Sequence, residues 1–273
     1  MVFKASLFIS IALGFLATLP VVRVAQAADP IRCTVIIDES TGDVLHRQGT
    51  CDQGFSPMST FKLPLAMMGF DAGILTDAKT PRWPYQAKFK GPARVHKPVD
   101  PLIWETESIV WYSQELTRKL GKQKFGGYIK AFDYGNRDVT GGPGGTDGLT
   151  ESWLMSSLKI SPDQQVAFLR RFLTGRLPIS KHAGEMTMAI VPHFAAGDGW
   201  DIQGKTGSGW LRAGNGKVDY ARPLGWFVGW AVKDGRRVIF ARMHIANRRY
   251  ENPISLETRD SLIDDFPTLA TGF

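Results

Sequence analysis

The sequence predicts an α+β fold in which an antiparallel sheet is flanked by helices and joined to a helical part. Strand-like segments stand towards both ends of the 273-residue chain, with helical patterns between them. Two late hairpin signals, Gly214-Asn215-Gly216 and Asp234-Gly235, separate segments that can pair as an antiparallel meander. An early hairpin pattern around Gly42 is free to join the same sheet. A hairpin, a block of helices, a meander and a closing helix are typical of this fold class.

Length and composition favour one compact domain. No internal repeat or low-complexity linker interrupts the chain. We expect a single domain over residues 28–273, after a leader at residues 1–27. Its sheet part should cover about residues 28–55 and 198–273, and its helical part about residues 56–197.

Periodicity and end signals predict the individual elements. The predicted strands cover residues 34–37, 44–47, 200–211, 224–233 and 237–245. The predicted helices cover residues 59–72, 105–120, 161–175, 181–191 and 255–265. The third helix has a serine at its N-cap, Ser161, then Pro162, and Gln164 at the capping-box position. We expect loops at residues 79–101 and 122–150.

The N-terminus has the pattern of a secretory signal peptide. Residues 1–4 carry one positive charge, residues 5–22 are almost wholly apolar, and Ala25-Gln26-Ala27 fits the small-residue cleavage pattern. We therefore expect cleavage after Ala27 and a periplasmic mature chain. An uncleaved anchor is the alternative, because the apolar stretch is close to the shortest length that spans a bilayer.

The charge distribution favours a small-molecule partner. Loss of Lys4 and Arg23 with the leader lowers the formal charge from +7 to +5. The remaining basic residues are scattered pairs instead of a stripe, which suits anionic small molecules or solubility and argues against a nucleic-acid surface. Nothing after residue 28 resembles a membrane helix, so we expect no membrane partner once the leader is removed.

The two cysteines, Cys33 and Cys51, are expected to form a disulfide. Two cysteines in an exported chain favour a disulfide, because the compartment outside the cytoplasm is oxidising. The two residues are equidistant from Gly42 at the centre of the predicted turn, so a hairpin of this register would place them opposite each other. Two buried free thiols are the alternative.

The candidate nucleophile is Ser59, three residues before Lys62. At this spacing on a helix the two side chains share one face, and an amine there could take the proton from the hydroxyl. An apolar run follows Lys62, so burial should lower its pKa towards the range in which the amine is neutral. The same Ser-x-x-Lys pattern occurs at Ser156 and Lys159, but without the buried run behind it.

A second motif, Lys205-Thr206-Gly207, begins the first late strand. Beside a cleft it would supply a fixed positive charge, a hydroxyl and a backbone against which a ligand can lie. Together with the Ser59 motif and Ser108 on a predicted helix, it completes the set of three elements used by enzymes that penicillin acylates on serine.

A metal centre is not expected. The five histidines are widely spaced, and none forms a helical metal-binding pair. They are His46, His96, His182, His193 and His244.

These motifs resemble those of the class D serine β-lactamases, the oxacillinases, over essentially the whole mature chain. The features that carry the resemblance are Ser59-Thr60-Phe61-Lys62, Ser108-Ile109-Val110, Tyr134-Gly135-Asn136, Lys205-Thr206-Gly207 and Trp153. Penicillin-binding proteins and class A enzymes place an asparagine two residues after the second serine, where this chain has Val110. The resemblance therefore points to class D within the serine β-lactamase and penicillin-binding transpeptidase-like fold.

The resemblance implies that the chain hydrolyses β-lactam antibiotics and confers resistance to them. The reaction would pass through an acyl-enzyme on Ser59. Lys62 would react with carbon dioxide to give a carbamate, N6-carboxylysine, which is the general base. Val110, Phe61 and Trp153 could form an apolar shell around the amine, and no cofactor other than carbon dioxide or bicarbonate is expected.

By the same analogy, the backbone N–H groups of Ser59 and Ser208 would form the oxyanion hole. Ser108 would relay the proton to the leaving nitrogen. Val110, Lys205, Thr206 and Gly207 would bind the substrate.

A second cation should hold the substrate carboxylate. Arg259 on the closing helix is the preferred residue, because the resemblance places an arginine in this region. Arg248 and Arg249 are rivals.

The main alternative function is a penicillin-sensing receptor domain or a penicillin-binding transpeptidase, which shares these motifs. A sensor stays acylated and belongs to a larger membrane protein. The signal-like N-terminus and the absence of a second hydrophobic span in the sequence favour hydrolysis.

Overall fold

The structure, a computed structural model, describes residues 1–3, 28–142 and 146–273. Apart from its first three residues, the predicted leader lies outside these ranges, as does its predicted cleavage site after Ala27. Within the described ranges, every helix is too short or too polar to cross a bilayer.

Six strands of the described chain form one antiparallel sheet. Their bounds are Ile31–Asp38 (β1), Val44–Gly49 (β2), His193–Ala195 (β5), Asp201–Arg212 (β6), Val218–Lys233 (β7) and Arg236–Ile245 (β8). The order of the strands across the sheet is β2-β1-β8-β7-β6-β5. A separate small pair joins Gly141–Gly142 (β3) to Thr146–Asp147 (β4). The early hairpin joins the late meander through β1 and β8, where Ile31 pairs with Ile245. This arrangement confirms the predicted antiparallel sheet.

Both faces of the sheet are covered, because its central strands are apolar on both sides. On β7, Trp226, Val228 and Trp230 belong to the large core shared with the helical part. Phe227 and Ala231, which point to the opposite face, belong to a second cluster beneath the C-terminal helix. Side chains that alternate along β7 therefore pack the two faces of the sheet against two different layers.

The helices pack on these two faces and in the helical part. They are Lys62–Asp71 (α1), Pro101–Thr106 (α2), Val110–Ala131 (α3), Gly148–Glu151 (α4), Pro162–Leu173 (α5), Lys181–Ile190 (α6) and Ile254–Leu269 (α7). Helix α5 packs on β1, β7 and β8, and α7 covers the opposite face. The capping box predicted for α5 is present: the Ser161 side chain accepts from the Gln164 N–H, and the Gln164 side chain accepts from the Ser161 N–H.

The predicted helix at residues 105–120 is wrong at its start. Helix α2 ends at Thr106 and α3 begins at Val110, so Ser108 lies between two helices with a φ of 58°. At Gly121, where φ is 75° and the backbone is non-helical, a kink divides α3 into two helical pieces. The first piece therefore ends before Gly121, as predicted, and the second carries the buried Phe125 and Ile129 and runs to Ala131.

Four shorter elements were also not predicted; they are β3, β4, α4 and β5. The predicted loop at residues 122–150 contains the end of α3 together with β3, β4 and α4. The edge strand β5 lies in the predicted helical part, where its three residues pair with β6. Such short pieces are set by their partners in the fold, and their own sequences carry little periodicity.

The disulfide between Cys33 and Cys51 is confirmed, with 5.2 Å between the two Cα atoms. The predicted register is wrong, because Cys33 lies opposite Gly49 and Cys51 lies just past the end of β2. The turn is centred between Ser40 and Thr41 instead of on Gly42, because Ile37 pairs with Val44. The bond therefore ties the end of the hairpin to the segment that leads towards Ser59.

Replacing both cysteines by serine should lower the free energy of unfolding by roughly 3 kcal/mol, because the bond closes a loop in the unfolded chain. Urea unfolding of the oxidised wild type and of the Cys33→Ser/Cys51→Ser variant measures this difference. Wild type unfolded with a reducing agent is the matched control and should resemble the variant. Equal midpoints for oxidised wild type and variant would contradict the stabilising role.

Candidate active site

Ser59 lies in a 3-10 turn, Met58–Phe61, that leads directly into α1. Two hydrogen bonds hold the approach to this turn. Trp226 Nε1 donates to the Ser56 carbonyl at 3.0 Å, and the Met58 N–H donates to the Trp153 carbonyl at 3.1 Å. The sheet and the helical part therefore both hold the chain that presents Ser59.

The side chains of Ser59 and Lys62 meet on one face, as their spacing predicts. Lys62 Nζ donates to Ser59 Oγ at 3.5 Å. Lys62 is 1% exposed, whereas Ser59 is half-buried. Burial lowers the pKa of Lys62 to about 7; the positive charge of Lys205 also lowers it, and the negative charge of Glu105 opposes the shift. A large fraction of the Lys62 amine is therefore neutral beside the Ser59 hydroxyl near pH 7.

Aromatic side chains enclose the start of α1. Phe61 stacks on Trp153 with ring centroids 5.0 Å apart, and it meets Tyr134 edge-on at 5.6 Å. All three side chains are buried. Val110, the third member of the predicted apolar shell, is the first residue of α3 and is half-buried.

A second lysine and serine pair is formed by Lys205 on β6 and Ser108 between α2 and α3. Lys205 Nζ donates to Ser108 Oγ at 3.1 Å and to the Thr206 carbonyl at 3.3 Å. Lys205 is 2% exposed, and burial lowers its pKa while Glu105 raises it. The positive φ of Ser108 directs the chain out of α2 at the point where its hydroxyl meets Lys205.

Gly207 lets β6 contact the turn that carries Ser59. A Cβ atom at this position would lie 2.8 Å from the Pro57 carbonyl oxygen and 3.1 Å from the Thr60 nitrogen. Both neighbours are backbone atoms, which cannot move away by a change of rotamer as a flexible side chain can. The sequence-based interpretation assigned this glycine to close approach of a ligand, and the structure adds close approach of the protein's own backbone.

Ser208 and Thr206 point from β6 towards the face that α7 covers. Ser208 Oγ donates to Ser255 Oγ at 2.7 Å, in the first turn of α7. A cavity of about 220 Å³ adjoins Ser208, with Trp210 and Tyr250 in its wall. The structure therefore places an open space beside the end of the Lys205 motif.

The three candidate arginines differ in their surroundings, and Arg249 is exposed. Arg259 Nε donates to Asp260 at 2.7 Å, and its guanidinium lies 5.2 Å from the ring centroid of Phe194 on β5. Arg248 lies over Tyr250, a wall residue of the Ser208 cavity, at 4.6 Å. Arg259 is thus engaged at the edge of the sheet, whereas Arg248 adjoins that cavity.

The Tyr134-Gly135-Asn136 motif supports the segment that carries Trp153. Asn136 Nδ2 donates to the Ser157 carbonyl at 2.9 Å, and Asn136 Oδ1 accepts from the Lys159 N–H at 3.0 Å. Gly135 has a φ of 56° and passes so close to the Lys159 carbonyl that no Cβ would fit. The motif therefore acts on the site through the position of a neighbouring loop.

Glu105 is a site residue that sequence reasoning missed. Its side chain is fully buried, and neither carboxylate oxygen has a hydrogen-bond partner among the described residues. Its charge acts on both Lys62 and Lys205. Helical spacing could have found it, because Pro101 and Trp104 mark the buried face of α2 and Glu105 continues that face.

Among the described residues, no group of three or more histidine, cysteine, aspartate or glutamate side chains is placed to hold a metal ion. His193 contacts Asp201, and His244 contacts Arg32.

The chain matches a known domain family and named enzymes. The family model for the penicillin binding protein transpeptidase domain matches residues 32–262. β-Lactamase OXA-9 of Klebsiella pneumoniae is 46% identical over 93% of each chain. β-Lactamase OXA-1 of Escherichia coli is 33% identical over 87% of this chain and 84% of that one. The crystal structure of the OXA-427 class D β-lactamase has a TM-score of 0.80 and 40% identity, covering 87% of this chain and 97% of that chain.

The fold and the matched domain define a serine enzyme of the penicillin-binding transpeptidase type. Within that type, the chain belongs to the class D serine β-lactamases. The predicted fold and enzyme class are confirmed. Its activity is the hydrolysis of β-lactam amides.

Gly207→Ala should lower kcat/KM by about a hundredfold, because the new Cβ would displace either β6 or the turn carrying Ser59 by a fraction of an ångström or more. Hydrolysis of a chromogenic cephalosporin measures the loss. Gly214→Ala is the matched control, since an added Cβ there meets nothing within 4 Å. Undiminished activity of Gly207→Ala would show that the close approach does not position the nucleophile.

Proposed function

We propose that this enzyme hydrolyses β-lactams through an acyl ester on Ser59, with carbamylated Lys62 as the general base in both half-reactions. The observation that carries the proposal is the contact of a buried Lys62 amine with Ser59 Oγ at 3.5 Å. A buried amine near its neutral form can react with carbon dioxide, whereas an ammonium group cannot. The stacked Phe61 and Trp153 support this environment by keeping the start of α1 apolar.

The bound carbamate would supply a carboxylate-like oxygen that accepts the proton of Ser59. Ser59 Oγ then attacks the carbonyl carbon of the β-lactam, and the ring C–N bond breaks. The backbone N–H groups of Ser59 and Ser208 are the proposed oxyanion hole. In the second half-reaction, the same carbamate accepts a proton from a water molecule. The water oxygen attacks the carbonyl carbon of the ester, and the bond to Ser59 Oγ breaks.

Ser108 is the proposed relay that brings a proton to the leaving nitrogen. Its hydroxyl oxygen accepts a hydrogen bond from Lys205 at 3.1 Å, which leaves its own proton free for transfer. Lys205 is the proposed positive charge for the substrate carboxylate, and the Thr206 hydroxyl is a proposed further donor to it. Arg259, Arg248 and Arg249 remain the candidates for the second cation.

Export to the periplasm and a role in resistance complete the proposal. The Cys33–Cys51 disulfide supports an oxidising compartment. A β-lactamase in that compartment would destroy the antibiotic outside the cytoplasm. The partner is then a small β-lactam molecule.

Ser59→Ala should reduce turnover of a chromogenic cephalosporin by at least about a thousandfold, because the variant has no oxygen that can form the ester. Ser156→Ala is the matched control, since Ser156 begins the second Ser-x-x-Lys sequence. That control should keep most of the wild-type turnover. Retained turnover in Ser59→Ala would refute Ser59 as the nucleophile.

A further inference from the structure

Glu105 is an unpaired carboxyl group inside the site. It lies near the end of α2, is fully buried, and has no hydrogen-bond partner for either oxygen among the described residues. A buried carboxylate without partners is costly, and proteins usually avoid one by pairing it or by protonating it. No unmodified side chain among the described residues donates a hydrogen bond to Glu105.

The charges that act on Glu105 come from two other elements. Burial raises its pKa, and the positive charges of Lys205 on β6 and Lys62 on α1 oppose that rise. Helices α3 and α6 pack against α2. On α3, burial and Asp100 raise the pKa of Tyr112, so it stays an uncharged phenol. On α6, the charged and titratable side chains are exposed; they are Lys181, His182 and Glu185.

Charge balance links Glu105 to the state of Lys62. When the Lys62 amine is neutral, the Lys205 cation can balance an ionised Glu105. When Lys62 bears a carbamate, the same cation faces that new anion, and an ionised Glu105 would be a second negative charge in the same buried space. A carbamate on Lys62 is therefore compatible with a protonated Glu105.

We propose that Glu105 takes up the proton released when Lys62 is carbamylated and then, as a neutral acid, donates a hydrogen bond to the carbamate. The inference rests on the proposed function, in which Lys62 carries that group. Glu105 is thus a positioning residue for the general base. Its two unpaired oxygens are explained because they gain a partner in the modified enzyme.

The step balances in atoms and charge. The lone pair of Lys62 Nζ forms a bond to the carbon of carbon dioxide, and one C=O electron pair moves onto oxygen. A proton leaves the nitrogen for the Glu105 carboxylate. A neutral amine, carbon dioxide and a carboxylate become a carbamate and a carboxylic acid, with one negative charge before and after. No oxidation or reduction occurs.

This coupling gives a distinct dependence on pH. Above about pH 7, dissolved inorganic carbon is mainly bicarbonate, and a neutral amine reacts with bicarbonate to give carbamate and water without net proton exchange. Uptake of an extra proton by Glu105 makes the reaction harder as pH rises. The bicarbonate concentration that carbamylates half of Lys62 should then increase by up to about tenfold per pH unit.

The test is ¹³C NMR of the whole enzyme in ¹³C-labelled bicarbonate between about pH 7 and about pH 9. In wild type, the concentration for half-maximal carbamate signal should rise with pH. In Glu105→Gln it should stay nearly constant, because the amide still donates to the carbamate but takes up no proton. Glu107→Gln is the matched control on the same helix end, where the side chain is partly exposed and paired with Lys97. This control should behave as wild type.

The outcomes separate this inference from the function on which it rests. A carbamate signal in wild type whose half-maximal bicarbonate is constant with pH would overturn the role of Glu105 and leave the carbamylated base intact. The same rise in Glu105→Gln as in wild type would also overturn that role. Absence of any carbamate signal would overturn the role of Glu105 and the carbamylated base together. If circular dichroism shows that Glu105→Gln does not fold, the slope in wild type decides the question.

Discussion

The burial of the Lys62 amine is the constraint on which the active site depends. An ammonium group in the protein interior loses its hydration, so its proton is held less tightly than in water. The nearby positive charge of Lys205 acts in the same direction. The apolar run of α1 holds this lysine inside the protein, and Ser59 is within hydrogen-bond distance of it. The chemistry therefore follows from where the fold places one amine.

The surrounding structure keeps the Lys62 amine and the Ser59 hydroxyl within contact distance of each other. Strand β6 can touch the turn of Ser59 because Gly207 has no side chain. Trp226 anchors the approach to the turn from the sheet, and the Trp153 carbonyl holds Met58 from the helical part. The site lies at the junction of the two parts, so the packing that stabilises the fold also fixes the distance between nucleophile and base.

Features with local causes could be predicted from the sequence. The capping box at Ser161 and the Asp234-Gly235 turn, where both residues have positive φ, depend on neighbouring residues. The contact of Ser59 with Lys62 depends on helical spacing. The disulfide was also predicted, although the first hairpin turns before Gly42, which leaves Cys51 beyond the paired strands.

Features with distant causes could not be predicted. The break between α2 and α3 places Ser108 against Lys205, a residue 97 positions away. Position 207 requires a glycine partly because the backbone of the turn that carries Ser59, a separate element, lies against it. The state of Glu105 depends on lysines from two other elements. In each case, the determining contact forms only after the sheet and the helical part have packed together.

Intact-mass spectrometry tests the central claim most directly, because a hydrolase and a penicillin sensor differ in the fate of the same ester. The wild-type enzyme would be sampled at intervals after mixing with an equimolar amount of benzylpenicillin. If Lys62 activates water as well as Ser59, a covalent adduct should form and vanish within seconds while penicilloate accumulates. An adduct that persists for hours would contradict the account.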